Sequence, residues 1–179
     1  MTKRIALVTG MPGSGKSEFV DLAREMEVRV VSMGDVVRAH AREKGIAPEN
    51  VGEFADSERK RHGYHIWAER TIPLVTGDRV LIDGTRGMDE VQRFREEYGD
   101  RLKVIAIHSS RDHRFQRLRE RKRADDPEMT DEFDLRDKRE MDWGISDVIA
   151  MADIIISNEG SLVKLRKDAK KVLKMYFGT

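Results

Sequence analysis

Short, nearly continuous runs of Ile, Val, Leu and Ala alternate along the chain with longer stretches in which apolar residues recur every three or four positions. Runs of the first kind mark strands buried on both faces, and stretches of the second kind mark amphipathic helices. Strands are therefore expected at Arg4 to Thr9, Val28 to Ser32, Arg79 to Asp83, Leu102 to His108 and Asp153 to Ser157. Helices are expected over about 17–26, 35–45, 88–97, 111–122 and 161–176, the last with Leu162, Leu165, Val172, Leu173 and Tyr176 on roughly one face. This alternation predicts an α/β fold, a five-stranded parallel sheet with helices on both faces. Two stretches exceed a simple crossover: residues 46–78, read as a helical insert, and residues 122–150, rich in charge with a single Pro. No linker or internal repeat marks a second domain. Residues 1–179 are expected to form one domain, with a core of 1–45, 79–121 and 151–179 and the two long stretches as appendages.

Composition narrows the setting. Charged residues make up 37% of the chain and mean hydropathy is −0.62, and no run approaches the ~20 apolar residues of a membrane span. The first residues lead straight into a strand pattern rather than a targeting peptide, so the expected location is cytoplasmic, with no membrane partner. The absence of cysteine excludes disulfides, thiolate zinc sites and cysteine nucleophiles. With 34 Lys plus Arg against 33 Asp plus Glu, any anion site must be local rather than a property of the whole surface.

Such a local site is written at the end of the first strand. Gly10-Met11-Pro12-Gly13-Ser14-Gly15-Lys16-Ser17 is a complete G-x-x-x-x-G-K-S between a strand and a helix. Its glycines allow successive N–H groups to turn inward and form a nest for phosphate oxygens at a helix N-terminus. Lys16 is placed to reach the β- and γ-phosphates and Ser17 to join a magnesium shell, which predicts ATP and Mg2+ as cofactors in a P-loop NTPase fold.

A phosphate loop alone describes ATPases, GTPases and kinases equally, so the other strand ends must separate them. The second strand runs into Ser32-Met33-Gly34-Asp35-Val36-Val37-Arg38, and the third ends in Asp83-Gly84-Thr85-Arg86. Both should open on the edge of the sheet that holds the phosphate loop. These segments resemble those of the nucleoside monophosphate kinases, typified by adenylate kinases, over nearly the whole chain. The resemblance implies that Arg38 and Arg86 grip an acceptor phosphate, that Ser32, Met33, Gly34 and Asp35 line the acceptor's sugar and base, and that Asp83 with Gly84 borders the site and helps order magnesium waters. The third-strand motif is one residue and a proline shorter than in that family. Glu90 stands where adenylate kinases place an adenine-reading glutamine. A carboxylate accepts from N–H groups, as on guanine, and cannot donate to adenine N1.

Residues 111–123 hold Arg111, Arg114, Arg117, Arg119, Arg121, Lys122 and Arg123, followed by Ala124-Asp125-Asp126-Pro127. This resembles the border of the kinases' arginine-rich lid, and the resemblance implies ATP contacts from Arg123 and Arg119 and from Arg136 on the returning helix. Most of the other arginines are expected to face solvent. Aromatics are scarce here, with Phe115 nearby, so nucleic acid is not expected as a partner. His62, Tyr64, His65 and Trp67 lack the spacing of a metal site and are read as part of a helical cover, with Trp67 as a core residue. His108, at the end of the fourth strand, is read as a buried histidine.

Near the end, Asn158-Glu159-Gly160-Ser161 resembles a turn of dephospho-coenzyme A kinase, which implies that Asn158 and Gly160 lie near the adenine. Taken together, the Thr9 to Glu18 segment, Met33-Gly34-Asp35 and this turn are similar to an archaeal family of adenylate-kinase-related ATP-binding proteins. The expectation is a kinase with a small-molecule nucleotide acceptor such as AMP. Dephospho-coenzyme A kinase and a non-kinase ATP-dependent switch remain as alternatives.

Overall fold

The computed structural model describes residues 3–121, 126–127 and 129–178. In chain order its strands are β1 (Arg4–Thr9), β2 (Arg29–Ser32), β3 (Arg79–Asp83), β4 (Leu102–His108) and β5 (Ile154–Ser157). Its helices are α1 (Lys16–Glu25), α2 (Met33–Glu43), α3 (Val51–His62), α4 (Ile66–Thr71), α5 (Met88–Tyr98), α6 (Arg111–Arg121), α7 (Thr130–Asp142), α8 (Ile145–Ala150) and α9 (Leu162–Phe177). The strands form a parallel sheet in the order β2-β3-β1-β4-β5. Among the described residues no helix is long and apolar enough to cross a membrane.

Side chains alternate across each strand, so one run of apolar residues feeds two cores. Ile5, Leu7, Val80, Ile82 and Val104 face a layer that includes Val36 of α2, Trp67 of α4, Phe94 of α5 and Val148 of α8. Ala6, Val8, Leu81, Ile105 and Ile107 face the opposite layer, with Phe19 and Ala23 of α1 and Leu165, Ala169 and Leu173 of α9. Burial of each large aliphatic side chain contributes about 1.5–3 kcal/mol, and β1 and β4, each with strand neighbours on both edges and packed faces on both sides, carry most of it.

Register sets the functional edge. Val8 lies opposite Asp83 and Ile105, Ser32 opposite Asp83, and His108 opposite Ser157. The C-terminal ends of all strands therefore open together, with the order reversing beside β1, the place where open α/β sheets hold ligands.

Differences from the expected elements have local causes. The Ser32 hydroxyl accepts from the Asp35 N–H at 3.2 Å, an N-cap that starts α2 at Met33 rather than 35. Asp153 is outside β5 because its carboxylate accepts from the Val104 N–H at 2.8 Å and pairs with Lys103. His108 is exposed, not buried, because it ends β4 at the open edge of the sheet.

Residues 46–78 are helical, as expected, and Trp67 anchors them. Its ring is fully buried, meets His40 and Phe54 edge-on, and its Nε1–H donates to the Ala55 carbonyl at 3.2 Å. Glu58 adds a polar tie, accepting from Arg70 of α4 and, at 3.3 Å, from Lys44 beyond α2. The Arg70 hydrogen bond holds the Glu58 carboxyl below the usual carboxylate range, against the opposing push of burial. Stability from this group is present above the unfolded glutamate pKa of about 4.3 and is lost as pH falls through the lower folded value. Thermal melts of Glu58→Gln should show lower stability at neutral pH and a shallower loss below about pH 4, relative to the native chain. Identical pH slopes for the two proteins would remove Glu58 from the acid response.

Candidate functional site

β1 ends at Thr9, and α1 begins at Lys16 after six intervening residues. Gly13 (φ 80°) and Gly15 (φ 99°) adopt conformations that side-chain-bearing residues avoid. Space forbids a side chain as well: a Cβ on Gly13 would stand 2.6 Å from the Arg114 carbonyl oxygen, and one on Gly15 would run into the Asn158 amide. Gly15 caps α1 without a side-chain hydrogen bond, which leaves the first N–H groups of the helix for another acceptor. The Ser14 hydroxyl is buried without a hydrogen-bond partner. A glycine-only turn, open helix N–H groups and an orphaned hydroxyl fit a phosphate group.

The loop forms one wall of a cleft of about 440 Å³. Lys16, Arg86, Arg117, Arg121 and Arg136 line it, with Glu18 and Glu140 as the acidic members. Lys16 Nζ donates to Asp83 Oδ1 at the end of β3. The Thr9 hydroxyl donates to the Thr85 carbonyl at 3.2 Å, which joins the turn after β3 to the start of the phosphate loop. The Arg86 guanidinium stands 4.8 Å from the Trp143 ring centroid, with its Nε 3.3 Å from Glu140. Arg121 and Arg136 both pair with Asp126. Arg117 donates to the Ser109 hydroxyl at 2.9 Å and the Asn158 carbonyl at 2.8 Å.

Residues Gly10, Met11, Pro12, Gly13, Ser14, Gly15, Lys16 and Ser17 line the cleft, together with Gly84, Arg86, Arg136, Asn158 and Gly160. Asp83 meets it through Lys16. Ser17 and Asp83 offer oxygen donors of the kind magnesium takes.

Other expected residues are placed differently. Arg38 is mostly exposed, pairs with Asp35 at 2.5 Å and does not line the cleft. The Ser32 hydroxyl caps α2, Met33 is buried against Thr85, and Gly34 backs onto Gly84; none of the three lines the cleft. Glu90 is only 1% exposed and accepts from the Arg86 N–H at 2.8 Å, the Gly87 N–H at 3.4 Å and Arg59 at 3.3 Å. It caps α5 and holds the Arg86 backbone rather than reading a base. The Asn158 amide donates to the Ser14 carbonyl at 2.8 Å, beneath the loop rather than toward an adenine. Arg119 turns from the cleft and lies over Phe115. Arg123 is outside the described residues.

Arg117 and Arg121, rather than Arg119, line the cleft from α6, and the helical period held the signal. Leu118 is fully buried, and Arg114, Arg117 and Arg121 fall at −4, −1 and +3 from it, on one face of α6. Arg119 falls off that face. Glu140 had no local signal, because its role comes from contact with Arg86 more than fifty residues earlier.

The family model described as an AAA domain matches residues 9–133. A UPF0200 protein of Thermoplasma acidophilum is 43% identical over 96% of each chain. One from Pyrococcus furiosus is 43% identical over 97% of each chain. Among solved structures, TT1252 from Thermus thermophilus superposes with a TM-score of 0.68 over 98% of each chain at 18% identity. Shikimate kinase from Acinetobacter baumannii, solved with shikimate, gives 0.63 over 99% of this chain and 94% of that one at 17% identity. At those identities the two structures speak for the fold, a P-loop kinase-like α/β arrangement. On sequence identity across nearly its full length, the chain belongs to the UPF0200 family and carries a P-loop kinase-like domain.

Proposed function

We propose that the cleft binds ATP with magnesium and passes the γ-phosphoryl group to a nucleotide acceptor, a nucleoside monophosphate such as AMP. The observation that carries this reading is the convergence of Lys16, Arg86, Arg117, Arg121 and Arg136 on one cleft beside the phosphate loop. Such a concentration of positive charge suits a polyphosphate and the charge that spreads over a phosphoryl group in transfer.

In this reading the N–H groups of the loop and Lys16 hold the β- and γ-phosphates, with Lys16 exchanging Asp83 for phosphate oxygens. Ser17 and Asp83 would hold magnesium, which would supply charge neutralisation on the phosphates. Arg86 exchanges Glu140 for the acceptor's phosphate, and its guanidinium fork orients the acceptor. Arg117, Arg121 and Arg136 close the other wall. The acceptor hydroxyl or phosphate oxygen attacks directly, so no covalent enzyme intermediate is required. The chain would work as one domain, with residues 46–78 as the acceptor's cover and 122–150 as a lid. A cytoplasmic setting suits this chemistry.

A second reading, a slow ATP-hydrolysing switch, is favoured by Arg38. This second acceptor arginine stands outside the cleft with its charge taken by Asp35.

Transfer from γ-labelled ATP to AMP, GMP, CMP, UMP and dephospho-coenzyme A, each offered separately with magnesium, tests the proposal. A labelled acceptor is expected, and Lys16→Ala should reduce the rate by about a hundredfold or more, the scale of losing a main charge-stabilising donor. Label released only as free phosphate would overturn the kinase reading in favour of the switch.

The arginines can be separated by the same assay. Arg121→Ala should lower kcat/KM about tenfold or more, as befits a charge-assisted contact, while Arg119→Ala should stay within about twofold of native. Equal losses in the two variants would contradict the assignment of α6 faces.

A further inference from the structure

Three consecutive carbonyls of the phosphate loop are held from outside by side chains of other segments. Arg114 Nη1 donates to Pro12 O at 3.2 Å, Arg117 Nη1 reaches Gly13 O at 3.5 Å, and Asn158 Nδ2 donates to Ser14 O at 2.8 Å. In a planar trans peptide, the carbonyl of one residue and the N–H of the next point in opposite directions. Pinning the Pro12 and Ser14 carbonyls therefore turns the Gly13 and Gly15 N–H groups away from the brace, while the Ser14 N–H closes a turn on Met11 O at 3.0 Å.

Of the three, Arg114 alone does not line the cleft. It is 6% exposed, lies over the Phe133 ring at 5.0 Å, and its fork grips both oxygens of Asp137 on α7, which is 8% exposed. Its own carbonyl abuts Gly13. One guanidinium thus joins the phosphate loop, the start of α6 and the middle of α7. Those helices also carry Arg117, Arg121 and Arg136 into the cleft.

We propose that Arg114, oriented by Asp137, is a positioning residue that presets the phosphate loop through the Pro12 carbonyl and fixes α6 and α7 against it, without touching the ligand. Stability alone does not explain the pair, since apolar residues of similar volume often replace a buried ion pair without loss. What an apolar pair cannot supply is a donor to Pro12 O. The inference rests on the reading that the cleft takes nucleotide phosphates.

Calorimetric titration with ADP and magnesium, and separately with pyrophosphate, tests it on the full chain alongside thermal melts. The proteins compared are the native chain, Lys16→Ala, and the double variant Arg114→Met with Asp137→Leu. The double variant should melt near the native temperature yet bind both ligands about tenfold or more weakly, within the usual range of coupling between sites. Arg114→Lys, which keeps the charge without the fork, should not restore affinity. Native affinity in a folded double variant overturns the proposal. Should the double variant fail to fold, Asp137→Asn serves in its place: weaker binding by a folded protein supports the proposal, and native affinity overturns it. A native chain that binds neither ligand overturns the nucleotide reading itself, and this inference falls with it.

Discussion

The turn from β1 into α1 is the constraint on which the rest of the site depends. It requires left-handed backbone at Gly13 and Gly15 and leaves helix N–H groups without internal partners. The side chains of this turn, Met11 and Pro12 among them, are only half-buried apart from Ser14, so it is held by its neighbours. β1 holds it from below, with both faces and both edges covered. The turn after β3 holds one side through Thr9 and Thr85, and α6 with Asn158 holds the other. The parallel sheet brings these segments level, because the register ends every strand at the same edge.

Charge is the second constraint. Among the described residues five cations line the cleft and repel one another, and the chain gives four of them a carboxylate partner. Asp83 takes Lys16, Glu140 takes Arg86, and Asp126 takes both Arg121 and Arg136; Arg117 uses neutral oxygens instead. An entering polyanion would exchange one set of partners for another. Its net affinity is then the difference between two sets of charge-assisted contacts, not their sum. Such an arrangement favours ligands with enough negative charge to satisfy several cations together.

The sheet and the phosphate loop were legible in the sequence because both are local. Buried parallel strands read as continuous apolar runs, and the loop's glycines and Lys16-Ser17 form one contiguous word. The walls of the cleft beyond the loop were less legible. Arg86 was found from its place at a strand end. Glu90 stands where the resemblance implies a base-reading residue, yet it is spent on capping α5 and pairing with Arg59, a partner thirty-one residues away. On α6 the density of arginine concealed the answer, which lay in the helical period around Leu118 rather than in the density itself. Asn158 was expected near the adenine from its turn, but its contact with the loop's backbone, which spans 144 residues of sequence, left no mark in the spacing. Residues whose role depends on tertiary partners of this kind cannot be assigned from spacing alone.

The Arg86 wall of the cleft is held by polar ties. Glu90 ties Arg59 of α3 to the turn after β3, and Glu140 ties Arg86 of that turn to α7. Trp143, just beyond α7, lies within cation–π range of Arg59, Arg86 and Arg139. Among the described residues the helical insert and α7 are joined through two arginines and one indole. Polar contacts of this kind can be exchanged for ligand contacts without opening the core, whereas a seam of packed aliphatic side chains could not. An anion that takes Arg86 from Glu140 would remove one tie to α7 while Arg59 stays fixed by Glu90. The freedom so gained would lie on the α7 side of the cleft, next to the Arg114–Asp137 pair that holds the same helix to the phosphate loop.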